Sequence, residues 1–104
     1  MNGFITLSSK HINHADCAVK PLSGCEMRVH LDYELEPREG NFVLIKNIFA
    51  SGNPYEVVQF ADYGKESLSI IGRKGIYNIP YDHLQEISAG KRVIVISSIE
   101  RRFI

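Results

Sequence analysis

Apolar and polar residues alternate between positions 27 and 34, with Met27, Val29, Leu31 and Tyr33 in one set and Arg28, His30, Asp32 and Glu34 in the other. Successive side chains of a strand point to opposite faces, so this period of two predicts a half-buried strand with its apolar set inward. Residues 42–49 form a denser apolar run. Residues 55–60 follow it after Ala50-Ser51-Gly52-Asn53-Pro54, residue types suited to reversing the chain, and the two runs read as a hairpin with a longish loop. Residues 61–66 then turn the chain into an expected strand at 67–71, and Gly72-Arg73-Lys74-Gly75 turns it again into 76–79. Pro80 lacks an amide donor and ends that strand, whereas residues 82–87 fit one short helical turn or an edge strand. Residues 92–99 are strongly β-branched and supply a last strand. No sustained 3.6-residue period, internal repeat, low-complexity tract or linker competes with this pattern. The expectation is a single, small, mostly β domain over residues 1–104, built of hairpins in a meander.

Composition narrows the class. The 104 residues are 44% hydrophobic and 23% charged, ordinary globular usage that argues against disorder. A chain of this length buries roughly 60–70% of its unfolded surface, enough for one core without staples. Gly3-Phe4-Ile5-Thr6-Leu7 is interrupted at once by Ser8, Ser9, Lys10 and His11, so it predicts neither a leader nor a membrane span. A soluble cytoplasmic protein is the expectation. Cys17 and Cys25 are then expected as free thiols.

Twelve basic residues balance twelve acidic ones, which argues against a strong sequence-independent grip on nucleic acid, because that affinity scales with the phosphates neutralised. The charges are unevenly placed. Glu26, Asp32, Glu34, Glu36 and Glu39 outnumber Arg28 and Arg38, and later Lys91, Arg92, Arg101 and Arg102 outnumber Glu86 and Glu100. Two such regions either form separate solvated faces or meet across a self-associating interface.

The order of the pieces carries a resemblance. Asp32 precedes Gly40-Asn41 by eight residues. There follow Phe42-Val43-Leu44-Ile45, the strand Tyr55-Glu56-Val57-Val58-Gln59-Phe60, then Leu68-Ser69-Ile70-Ile71, Ile79-Pro80 and a final run from Val93 through Arg101-Arg102-Phe103. Residues 32–103 thereby resemble the C-terminal domain of LexA, UmuD and phage CI-type repressors. The resemblance implies a mostly β fold that self-associates and carries a Ser–Lys dyad for cleaving its own linker, chemistry that needs a lysine made less basic by burial. The family's lysine position falls on Val58 or its neighbour Gln59, neither of which accepts a serine proton. The family's nucleophile step falls near Ala15-Asp16-Cys17-Ala18. What the resemblance implies is therefore a scaffold without its dyad: a non-enzymatic interaction module of transcription regulation, binding or modulating a phage, prophage or bacterial repressor. In that family the terminal strand region helps pair two copies, which implies a homodimer with Val93, Val95, Ser97, Ile99, Arg101 and Phe103 at the interface.

Other constellations carry rival chemistry. His11, His14, Cys17 and Cys25, with His30 downstream, offer soft or borderline ligands to zinc, though no standard finger has this spacing; the plainer expectation is a polar loop with no cofactor. Cys17 activated by His14 or His30 would make a cysteine peptidase. Asp32, Glu34, Glu36 and Glu39 read as a solvated acidic turn, and Gly72-Arg73-Lys74-Gly75 as a hairpin turn with two exposed cations, since it lacks the strand-to-helix context of a phosphate loop. Lys91, Arg92, Arg101 and Arg102 beside Phe103 are the residues a small nucleic-acid-binding β-barrel would use. The five tyrosines are expected at core edges; several gathered on one exposed face would mark an interface.

Overall fold

A computed structural model of the chain describes residues 2–8, 25–48, 55–72, 74–88 and 90–103, with the backbone alone described at residues 2, 7–8, 25–27 and 101–103. It is mostly β. The strands are β1 (Asn2–Ser8), β2 (Cys25–Asp32), β3 (Phe42–Lys46), β4 (Tyr55–Tyr63), β5 (Ser67–Gly72), β6 (Gly75–Pro80) and β7 (Val93–Phe103), with one 3₁₀ turn at Tyr81–His83. All pair antiparallel in one sheet of order β1-β2-β7-β3-β4-β5-β6. No helix among the described residues is long and apolar enough to cross a membrane.

The meander expected from the sequence is present as β3 to β6. Two elements differ from the sequence reading. Residues 3–7 belong to β1, paired along its length with β2; its short apolar run gives no clear alternation, and Phe4 on it is 58% exposed. The last strand runs to Phe103 and returns to the middle of the sheet, between β2 and β3.

Three central strands are buried on both faces. Val43, Leu44 and Ile45 of β3, Val57 and Val58 of β4, and Val93, Ile94 and Val95 of β7 are all buried. Alternation divides them into two clusters: Leu44, Val57 and Ile94 pack with Val29 and Leu31 of β2, whereas Val43, Ile45, Val58, Val93 and Val95 pack with Phe60, Leu68, Ile70 and Leu84. A strand covered on both sides has no need of polar residues between apolar ones, which is why residues 42–45 read as a continuous run. No second sheet among the described residues supplies the cover.

Two bulges interrupt the pairing of the sheet. In β7 the pairing shifts between His30 and Leu31, so that Ser97 is the extra residue between Ile96 and Ser98. That shift resets the alternation and lets both Ile96 and Ile99 pack on the β2-side cluster. In β4 the pairing shifts between Phe60 and Asp62, leaving Ala61 as the extra residue. A bulge bends its strand and raises the local twist.

The acidic segment after β2 is organised by its own side chains. The Asp32 carboxylate accepts the Glu34 and Leu35 amides at 3.0 and 3.3 Å, closing a turn. The Asn41 side chain accepts the Arg38 amide at 2.8 Å, and Gly40, at φ 89°, donates to the Phe60 carbonyl while the Phe60 amide donates to the Asn41 carbonyl. The Gly-Asn step therefore ties this turn to β4 beside its bulge, and the positive φ explains the glycine.

Candidate functional site

β7 has two different edges. On the β3 side, pairing covers only Val93, Ile94 and Val95. On the β2 side it runs from Val95 to Phe103. No described strand pairs with the β3-side edge of residues 96–103. β3 ends its register with β7 at Val43, which lies opposite Val95, so the longer strand projects past its neighbour.

The residues expected at an interface divide accordingly. Val93 and Val95 are 8% and 5% exposed and belong to the core, so they support β7 from inside and offer nothing to a partner. Ser97 is exposed at the bulge, and its hydroxyl lies 3.3 Å from the His30 carbonyl oxygen, to which it donates. Ile99 is half-buried against the β2-side cluster. Arg101 and Phe103 lie on the same projecting segment, and their side chains are outside the described residues.

The positions that the family resemblance assigns to the lysine are structural. Val58 is 1% exposed within the second cluster, and the Gln59 side-chain amide donates to the Gly40 carbonyl at 3.1 Å, bracing the turn just described. Residues 15–18, with Cys17, lie outside the described residues, as do His11 and His14; of Cys25 only the backbone is described. Among the described residues no group of three metal-ligating side chains converges. His30 is half-buried, with Nε2 at 2.6 Å from Glu100 Oε1, and its ring lies 6.0 Å from that of Phe4.

The two charge-biased stretches adjoin where β2 pairs with β7. β2 and β7 are neighbours, with Arg28 opposite Glu100 and Glu26 opposite Arg102 in register. The Arg28 guanidinium also stacks 4.8 Å over the Phe4 ring. Of the other basic candidates, Lys91 donates through Nζ to the Tyr33 carbonyl, and Arg92 is exposed. Gly72 pairs with Gly75 to close a hairpin turn between β5 and β6.

A second feature was not singled out by sequence: a cleft of about 490 Å³ between the segment after β2 and the end of β4. It is lined by Leu35, Glu36 and Pro37 of that segment, by Tyr63 and Tyr81, and by Lys91, Arg92 and Val93. Lys91 is placed by a tight turn in which the Ile87 amide donates to the Lys91 carbonyl and the Lys91 amide to the Ser88 carbonyl, each at 2.8 Å. Burial, the neighbouring Glu36 carboxylate and Tyr81 together push the Tyr63 hydroxyl above the usual tyrosine pKa. The signal in sequence was the tyrosine count, but which of the five share a face depends on how β4 and the 3₁₀ turn meet.

No family model, curated protein or solved structure matches the chain.

Proposed function

We propose that this chain is a non-catalytic interaction module that pairs the projecting edge of β7 with the same strand of a second copy, forming a homodimer. The observation that carries the reading is the edge itself: residues 96–103 are hydrogen-bonded to β2 on one side and have no described strand on the other. Such an edge presents unpaired amides and carbonyls, a template for a further strand. A self-complementary edge closes as a two-fold dimer. Burial of Val58 and the bracing role of Gln59 support the absence of a Ser–Lys dyad. On the resemblance to LexA-type repressor domains, the partner in a hetero-complex is a repressor-type domain of phage, prophage or bacterial origin, whose own pairing this chain alters.

Native mass spectrometry and sedimentation of the purified chain test the pairing. The double substitution Ser97→Glu/Ser98→Glu replaces two small exposed residues on the edge with carboxylates that repel across a two-fold axis. It is expected to weaken the dimer about tenfold or more, because like charges brought together cost on the order of a kcal/mol or more each, while Gln85→Glu leaves it unchanged. A wild-type chain that stays monomeric at all concentrations would defeat the pairing, and absence of a complex with co-encoded or host repressors would defeat the hetero-partner.

A further inference from the structure

The cleft between the segment after β2 and the end of β4 has the makings of a recognition site away from the β7 edge. Its aromatic wall is held in place before anything binds. The Tyr81 hydroxyl donates to the Gly64 carbonyl at 2.6 Å, and the Tyr63 ring packs edge-on to Phe60 with centroids 5.0 Å apart and planes at 66°. Rings already fixed lose little rotamer freedom on binding. In the same lining Leu35 is 52% exposed, and Tyr63 is itself 44% exposed. These two side chains offer apolar surface within a lining that is otherwise mostly polar.

Charge sets the polarity of an occupant. Lys91 is anchored on the Tyr33 carbonyl, and Arg92 is exposed without an ion pair among the described residues. Glu36 is also in the lining, close enough to Tyr63 to resist ionisation of its hydroxyl. Two cations and one carboxylate leave the lining with a single net positive charge. That is too little to hold a nucleic-acid backbone, whose binding rests on neutralising several phosphates. It suits a ligand with a carboxylate at the Arg92 end and an uncharged apolar stretch along the tyrosines.

We infer that this cleft binds a short, extended peptide segment of a partner protein, with proline or leucine between Leu35 and the two tyrosines and an acidic residue on Arg92. Extended proline-containing segments fit aromatic-lined grooves at low entropic cost. The inference rests on the reading of the chain as an interaction module, but not on pairing through β7.

The test is an amide NMR titration of the intact chain with two acetylated pentapeptides, Pro-Leu-Pro-Asp-Glu and Pro-Leu-Pro-Lys-Lys. The acidic peptide is expected to shift the resonances of Leu35, Tyr63 and Arg92, and to bind about tenfold more tightly than the basic one. Arg92→Glu should reverse that preference, and Tyr63→Ala should weaken both peptides. Leu35→Ser, on an exposed loop position, gives the same information should Tyr63→Ala fail to fold. Equal shifts with both peptides, shifts confined to other parts of the sheet, no binding, or displacement of the peptide by a short DNA strand would each overturn the proposal. Repeating the titration on Ser97→Glu/Ser98→Glu separates the two readings. Retained peptide binding by a monomer leaves the cleft standing without the edge, and loss of peptide binding by an intact dimer of the wild-type chain removes the cleft alone.

Discussion

Val58 shows how one side chain decides between a catalytic scaffold and an inert one. It is 1% exposed and shares a cluster with Val43, Phe60 and Leu68. A lysine there would have to shed its hydration in an apolar environment. Val58→Lys is expected to destabilise the fold by on the order of 4 kcal/mol near neutral pH, the equivalent of an amine pKa depressed by about three units. Because the unfolded chain would then bind more protons than the folded one, the deficit should shrink as pH rises. Urea unfolding at two pH values reads both effects, and a variant as stable as the parent would show that the position faces solvent. Tyr63 gives the opposite pH signature. Its hydroxyl is raised above the ordinary value of 10.0 by burial, by Glu36 and by Tyr81. The folded state therefore holds that proton more tightly, so stability is intact below pH 10 and declines as pH climbs through the folded-state value. Tyr63→Phe should flatten this alkaline decline, which tyrosinate absorbance and thermal melts across the same range would follow.

At the scale of elements, the hairpins were legible and the long-range pairings were not. Alternation at residues 27–34 and the turn residues at 61–66 and 72–75 are local signals, and the strands they predict are present as β2, β4, β5 and β6. The position of β7 depends on which distant edge it meets, information that a period of two does not carry. The same holds for its length. The sequence reading ends the strand at Ile99, whereas in the sheet the strand continues past the bulge at Ser97 to Phe103. Local turn chemistry also yields a mutational expectation. The Gly64 amide donates to the Ser67 carbonyl at 2.8 Å, and an added Cβ at Gly64 would lie 2.6 Å from that same backbone oxygen. Gly64→Ala should cost about 2 kcal/mol, in the range for backbone strain at a fixed turn, and a chemical denaturation midpoint equal to that of the parent would refute the tight closure. The Tyr81 hydroxyl donates to the Gly64 carbonyl of the same turn, so the same variant is expected to loosen the tyrosines that line the cleft.

Across the whole molecule, the two charge-biased stretches identified in the sequence adjoin where β2 pairs with β7, with Arg28 in register opposite Glu100 and Glu26 opposite Arg102. The ion pair described there joins His30 to Glu100. The cleft was partly legible too. The tyrosines were visible as candidates for an exposed face, yet only Tyr63 and Tyr81 line it, while Tyr33 and Tyr55 pack on one core cluster and Tyr77 on the other. Leu35 and Pro37 gave no signal of their own, because a leucine and a proline in an acidic turn have no periodicity to break.

β7 is the last of the seven described strands in chain order, and among them it alone joins the paired β1 and β2 to the β3–β6 meander. On the ribosome, both of those pieces emerge with the edges meant for β7 still bare. Each must wait through the synthesis of the rest before its partner exists, since pairings of high sequence separation cannot form early. The order of translation thus places the most adhesive state of this sheet before β7 emerges, and a chain still lacking that strand is what a cell has to keep from pairing with its neighbours.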